Sequence, residues 1–228
     1  MKESAYFPQL FADTSSILEI TVMIKTGIFS GITTNPIIVA GQAGNKEPLK
    51  YYEDLAAKYP NVPISIQLLD EDELTLLDHA HQFAAIAKNI VIKVPMFRDG
   101  RGLAVASALN KEGIPTNITG LMNAEQVMLA ISIEPGPTFV SLFFNRIKDG
   151  GGDPIIEIQN SRQLLDSIGS NSKIITGSIR KVSDVREALT AGSDIVTIPP
   201  KIFWEITYHP QTEFFIERSQ TAWEEFLK

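Results

Sequence analysis

The sequence predicts a single (β/α)8 barrel, a TIM barrel of the α/β class, with one additional C-terminal helix. Three observations carry this. Eight short apolar runs alternate with longer stretches of helical periodicity, a pattern that argues for parallel strands joined by crossover helices. The chain has 228 residues, close to the ~250 that one such barrel typically needs. Polar and charged residues recur near the C-terminal ends of the apolar runs, the end where barrels place their function.

The elements follow in order. Residues 9–15 (QLFADTS) read as a short strand ending in polar residues. Residues 16–27 (SILEITVMIKTG) have helical spacing, with Ser16 as N-cap and Gly27 as stop. Residues 30–36 (SGITTNP) are strand-like and turn at Asn35-Pro36, and 47–60 read as a helix with a proline in its first turn. A strand at 62–69 precedes a helix at 70–89 that opens with acids and ends near Lys88. Then come a strand at 90–95, a helix at 102–113 stopped by Gly113, a strand at 114–119 and a helix at 123–133. A strand at 138–144 leads into a loop at 148–154, followed by a helix at 155–169, a strand at 172–177 and a helix at 181–192. The last strand is 193–199, and helices at 200–207 and 211–228 close the chain. No composition shift, fixed-period repeat or low-complexity segment divides it, so 1–228 is expected to form one domain. The final helix carries Phe214, Phe215, Trp223 and Phe226. Such an apolar tail either caps its own barrel or packs on a neighbouring subunit.

Composition narrows the function. A formal charge of −7 argues against nucleic acid or an anionic membrane surface as partner, while leaving room for a basic pocket on an acidic protein. The absence of cysteine excludes disulfides, thiolate metal sites and thiol catalysis. No apolar run approaches the ~20 residues of a membrane span. The N-terminal residues lack a signal-peptide core, so a soluble, cytoplasmic protein is expected. His79 and His81 stand two apart on an expected helix and do not share a face, and His209 precedes a proline. We therefore expect no metal and no other cofactor. The run DGGGD (149–153) lacks the lysine and the hydroxyl residue of a phosphate-binding P-loop.

The chemistry centres on NIVIKVP (89–95), where Lys93 interrupts an otherwise buried strand. Burying an ammonium group is costly unless it is paired or neutral, and a desolvated lysine is a nucleophile. Around it, at the ends of the other strands, stand Asp13, then Thr33, Thr34 and Asn35, and Gln67. Thr116, Asn117 and Thr119 follow on strand 5, Ser141, Asn145 and Arg146 after strand 6, and Ser178 and Arg180 after strand 7. This set suits an amine attacking a ketose carbonyl. Lys93 would form a Schiff base that acts as an electron sink while the C3–C4 bond breaks, and Asp13 would take the C4 hydroxyl proton. Asn35 and Ser141 could hold hydroxyls of the donor fragment. Arg146 and Arg180 could clamp an anionic group, with Ser178 and the backbone after Gly177 adding donors.

The same residues resemble a known family, the small-subunit transaldolases and fructose-6-phosphate-aldolase-like enzymes. The shared motifs are FADTSS (Asp13), GITTNPIIV (Thr33, Asn35), VIKVP (Lys93), EGIPTNIT (Asn117, Thr119), VSLFFNRIKD (Ser141, Phe143, Arg146) and TGSIRKVSDV (Ser178, Arg180). AGSDIVTIPP and YHPQTE follow, and the motifs run in the family's order from about residue 10 to the end. The resemblance implies a Schiff-base lysine at Lys93, a proton-handling aspartate at Asp13, sugar-phosphate substrates, and a ring-shaped homo-oligomer, pentamer or decamer, with the C-terminal helix laid on a neighbour. Two positions depart from it. Transaldolases of this size carry Glu at Gln67, where it works with Thr119 through a proton-shuttling water, and the free aldolases carry Tyr at Phe143. Without that phenol the carbanion should be protonated poorly. This places transfer of a dihydroxyacetone unit ahead of free aldol cleavage. A sulfosugar in place of a sugar phosphate, and a catalytically silent sugar-phosphate-binding barrel, are the alternatives.

Overall fold

The structure is a computed structural model that describes residues 9–42, 47–69 and 71–228. Residues 1–8, which bear on the expected N-terminus, and residue 70, the expected start of a helix, lie outside the described residues. Eight parallel strands close into a barrel in chain order, with the last against the first. They are β1 (Gln9–Asp13), β2 (Phe29–Thr33), β3 (Ile64–Gln67), β4 (Ile90–Pro95), β5 (Thr116–Leu121), β6 (Phe139–Phe143), β7 (Lys173–Gly177) and β8 (Ile195–Ile198). The helices outside it are α1 (Ile17–Lys25), α2 (Pro36–Gln42), α3 (Pro48–Lys58), α4 (Glu73–Ala84), α5 (Arg101–Lys111) and α6 (Ala124–Ile131). They continue as α7 (Phe144–Asp149), α8 (Pro154–Ser167), α9 (Val182–Ala191), α10 (Pro200–Thr207) and α11 (Pro210–Phe226). The sequence expectation of a (β/α)8 barrel with an extra C-terminal helix is met. No helix among the described residues is long and apolar enough to cross a membrane.

Strand alternation divides the side chains into two sets, because successive residues point to opposite faces. One set, including Ile32, Ile64, Ile92, Val94, Val140 and Val196, packs against the helices. The other fills the barrel. Its lower layer is apolar: Phe11, Val91, Phe139, Ile175 and Ile195 form their own cluster, with Phe11 and Phe139 edge to face at 5.9 Å. Two residues further along several of these strands, the same inward face carries Asp13, Lys93 and Thr197. The barrel therefore has an apolar floor and a polar upper layer. Gly31 makes the floor possible, since a Cβ there would overlap the Phe11 ring.

Three segments differ from expectation. Helix α2 follows directly on Asn35, whose side-chain oxygen accepts from the amides of Ile37 and Ile38. The chain expected to run as strand to residue 144 turns at Phe143 into α7, with Phe144 buried under it and the Asn145 amide donating to the Ser178 carbonyl. Helix α4 stops at Ala84 rather than near 89, because the chain must turn into β4. Asn89 holds that turn by donating to the Tyr59 and Val62 carbonyls. Helix α11 buries none of its residues, and Phe214, Phe215, Trp223 and Phe226 are exposed.

The strand that carries Lys93 is seated against α5 at Gly102, where any Cβ would collide with the Pro95 carbonyl oxygen. That atom is backbone and cannot swing aside. Gly102→Ala is expected to destabilise the fold by about 1–3 kcal/mol, as overpacked sites do. Denaturant unfolding at fixed m-value checks it, and an unchanged midpoint would show that β4 and α5 are free to separate.

Candidate active site

Lys93 stands in the middle of β4, paired in register with Gln67 on one side and Asn117 on the other. It is 5% exposed. Its Nζ lies 3.4 Å from the Thr34 carbonyl oxygen and 5.7 Å from the centre of the Phe143 ring. Burial pushes its pKa below the ordinary lysine range, and the Asp13 charge only partly opposes this. Asp13 ends β1. Burial lifts its carboxyl above the usual range, against the pull of Lys93 and of the Thr33 hydroxyl, which donates to Oδ1 at 3.0 Å. Thr33 also bonds Thr197 at the end of β8. Each charge is thus held where the neutral form is favoured, yet each lies within the other's field.

The rest of the polar layer is tied together. Ser141 donates to the side-chain oxygen of Asn117 at 2.7 Å, and the Asn117 amide reaches Ser65 at 3.4 Å. Thr119 is buried on the same face, and its hydroxyl has no partner among the described residues. Of these groups Ser141 reaches a cavity of about 230 Å³, lined also by Asp13, Thr33, Asn35, Gln67, Lys93, Phe143, Arg146, Ser178 and Thr197, among others, while Ser65, Asn117 and Thr119 lie beneath its wall. A larger and more apolar cavity of about 690 Å³ lies beside it, between α2, α3 and α4, and shares Gln67. It holds no pair like Lys93 and Asp13, so the chemistry points to the smaller one. No group of three or more metal-ligating side chains occurs among the described residues.

Most residues expected from sequence converge here, but not all. Thr34 faces outward, where its hydroxyl meets Tyr52 and the Ser65 carbonyl. Thr116 also faces outward and donates to Asn110. Strand alternation explains both, since each neighbours a residue that points inward. Asn145 points away from the cavity and donates to the Ser178 carbonyl and to Asp184, both at 2.7 Å. Arg180 does not line the cavity; its two terminal nitrogens are engaged by Asp149 at 2.9 and 2.6 Å on the exposed surface. The backbone amides of Arg180 and Lys181, expected as anion donors, are taken by Asp184. Ser178 keeps its place at the rim in a left-handed conformation, φ 60°. Sequence reasoning missed Thr197 and Ser65, though period-2 counting along β8 and β3 would have turned both inward.

A stability consequence follows from Lys93. Its pKa is lower folded than unfolded. Between the folded value and the ordinary 10.5 the unfolded chain therefore holds the extra proton, and stability rises with pH across that window. Below the window the full burial cost remains. Lys93→Met is expected to raise the melting temperature near neutral pH by about 2–4 °C, or ~1 kcal/mol. The gain should shrink as the pH approaches 10. Calorimetric scans of both proteins across pH test this, and a lower melting temperature in the variant would mean that the ammonium is well compensated.

The chain is similar to known proteins over most of its length. A family model described as Transaldolase/Fructose-6-phosphate aldolase matches residues 10–227. Among curated relatives, a "Probable transaldolase" of Caulobacter sp. (strain K31) is 33% identical over 215 residues, covering 94% of this chain and 96% of the relative. A "Probable transaldolase 2" of Listeria monocytogenes is 33% identical over 221 residues, covering 96% and 97%. A "Probable transaldolase" of Clostridium tetani is 35% identical over 210 residues, covering 92% and 95%.

Proposed function

The chain belongs to the transaldolase/fructose-6-phosphate aldolase family, and we propose that it transfers a dihydroxyacetone unit from a ketose to an aldose through a Schiff base on Lys93. The observation that carries this is a buried lysine of lowered pKa beside a carboxylate of raised pKa, both opening on one polar cavity. The neutral amine adds to the ketose carbonyl and loses water to give an iminium. Asp13 accepts the C4 hydroxyl proton as the C3–C4 bond breaks, and the bonding electrons pass to the iminium nitrogen. Thr33 orients Asp13 through its hydrogen bond. The Phe143 ring stands at cation–π distance from the nitrogen and favours its positive form.

The fate of the resulting enamine decides between transfer and free cleavage. Phe143 has no hydroxyl to donate, and Gln67 cannot exchange a proton at neutral pH. Both features support holding the fragment until an aldehyde arrives. Thr119, with its buried unbonded hydroxyl, is the group we assign to the water released in imine formation, with Gln67 positioning it.

A second reading concerns the substrate's anion. Arg180 is neutralised by Asp149, which leaves Arg146 as the guanidinium that lines the cavity. One guanidinium matches a singly charged sulfonate better than a doubly charged phosphate, which favours a sulfosugar such as sulfofructose as donor.

Incubation with fructose 6-phosphate or with 6-deoxy-6-sulfofructose, followed by borohydride and peptide mapping, should place a dihydroxyacetone-sized adduct on Lys93. The adduct should vanish when an aldose acceptor is supplied, with little free dihydroxyacetone released. Steady release would make the protein an aldolase. No adduct from either sugar would leave a silent binding barrel.

We also propose that the chain is a homo-oligomer, pentamer or decamer, held in part by α11, whose exposed aromatic residues bury nothing within the chain. Removing residues 209–228 is expected to lower the mass measured by light scattering, and an unchanged mass would assign the contact to another face.

A further inference from the structure

One buried ionisable group has no part in the proposed chemistry. Asp184 lies in the first turn of α9 and is 1% exposed. Its Oδ2 accepts from three donors: the Asn145 side chain at 2.7 Å and the backbone amides of Arg180 and Lys181, both at 3.0 Å. Among the described residues its Oδ1 has no hydrogen bond, and the cation paired with it is Lys148, 3.7 Å away and shared with Glu187 at 3.6 Å. Burial works against its charge, but the Asn145 bond, the two amides and Lys148 outweigh it and hold the carboxyl below its ordinary range. Asp184 is therefore ionised at neutral pH.

Its position gives that charge a consequence. The segment between β7 and α9 carries Ser178, which lines the cavity, and the amides at the head of α9 that would otherwise attract an anion. Asp184 consumes two of those amides. Asn145 clamps the same segment from below through the Ser178 carbonyl, and it adjoins Arg146, the cation on the cavity wall. A fixed negative charge thus stands behind the groups that face the substrate's anionic end.

We propose that Asp184 is a specificity-determining residue, an internal anion that occupies the head of α9 and makes the subsite at Arg146 and Ser178 favour a singly charged head group over a doubly charged one. This rests on the proposed function only in placing the anionic end of the substrate at Arg146 and Ser178. It goes further by naming the residue that sets the charge of that end. A second negative charge on the ligand meets the Asp184 field, whereas the first is matched by Arg146.

The test is direct binding, which needs no turnover. Glycerol 1-phosphate and 2,3-dihydroxypropane-1-sulfonate are titrated calorimetrically into the full-length protein at about pH 8, where the phosphate monoester carries two charges. Asp184→Asn is the first variant. Its amide oxygen can keep all three Oδ2 bonds while the charge disappears. The ratio of phosphate to sulfonate affinity is expected to rise on the order of 3- to 10-fold, the effect of one unit charge on another about 12–25 Å away under an effective permittivity of about 20. Lys148→Met is the second variant, at a half-exposed residue that is expected to fold if Asp184→Asn does not. It strips the partial compensation from Asp184 and should move the ratio the opposite way. If neither variant shifts the ratio, or the wild-type protein binds neither ligand, the inference is overturned. A shifted ratio without a borohydride adduct on Lys93 would instead keep the inference and remove the Schiff-base reaction.

Discussion

The desolvation of Lys93 is the constraint on which the rest of the site depends. An ammonium group in the middle of a barrel strand is costly, and the fold does not remove that cost with a close ion pair. It supplies instead a backbone carbonyl at the edge of hydrogen-bond range, an aromatic face, and a carboxylate that is itself under burial pressure. Two groups that would each be charged in water are moved toward neutrality together. The apolar floor beneath them keeps the local permittivity low, so Phe11 and Phe139 help hold the lysine toward its neutral form.

The opposite side of the cavity follows another logic. There the charges are balanced within the protein: Arg180 against Asp149 on the surface, Asp184 against backbone amides and Lys148 beneath. Of the eight charged side chains contributed by α7, α9 and the turn between β7 and α9, Arg146 is the one that reaches the cavity wall. The Lys93 side of the cavity is tuned by burial, and the Arg146 side by pairing.

Much of this was legible in the sequence, because alternation of apolar runs with helical patterns leaves few folds open and a lysine inside Ile-Val-Ile and Val-Pro is conspicuous. The failures have specific causes. Thr34 and Thr116 were expected at the mouth because strand ends were read as zones, whereas a strand offers only every second residue to one face. Arg180 was expected to face the substrate because its partner, Asp149, is remote in sequence and nothing local marks the pairing. Asp184 looks like an ordinary acid in the first turn of a helix, and only the folded chain brings Asn145 against it. Helices α2 and α7 are too short to show a period.

The closed floor of the barrel has a kinetic meaning. Phe11, Val91, Phe139, Ile175 and Ile195 close the barrel beneath the cavity, which at about 230 Å³ has little room for two sugars at once. In the two-substrate reaction proposed above, the first aldehyde must leave before the second can enter. A double-displacement order, with the covalent fragment waiting between visits, thus follows from the packing of five apolar side chains, of which Ile175 alone lines the cavity.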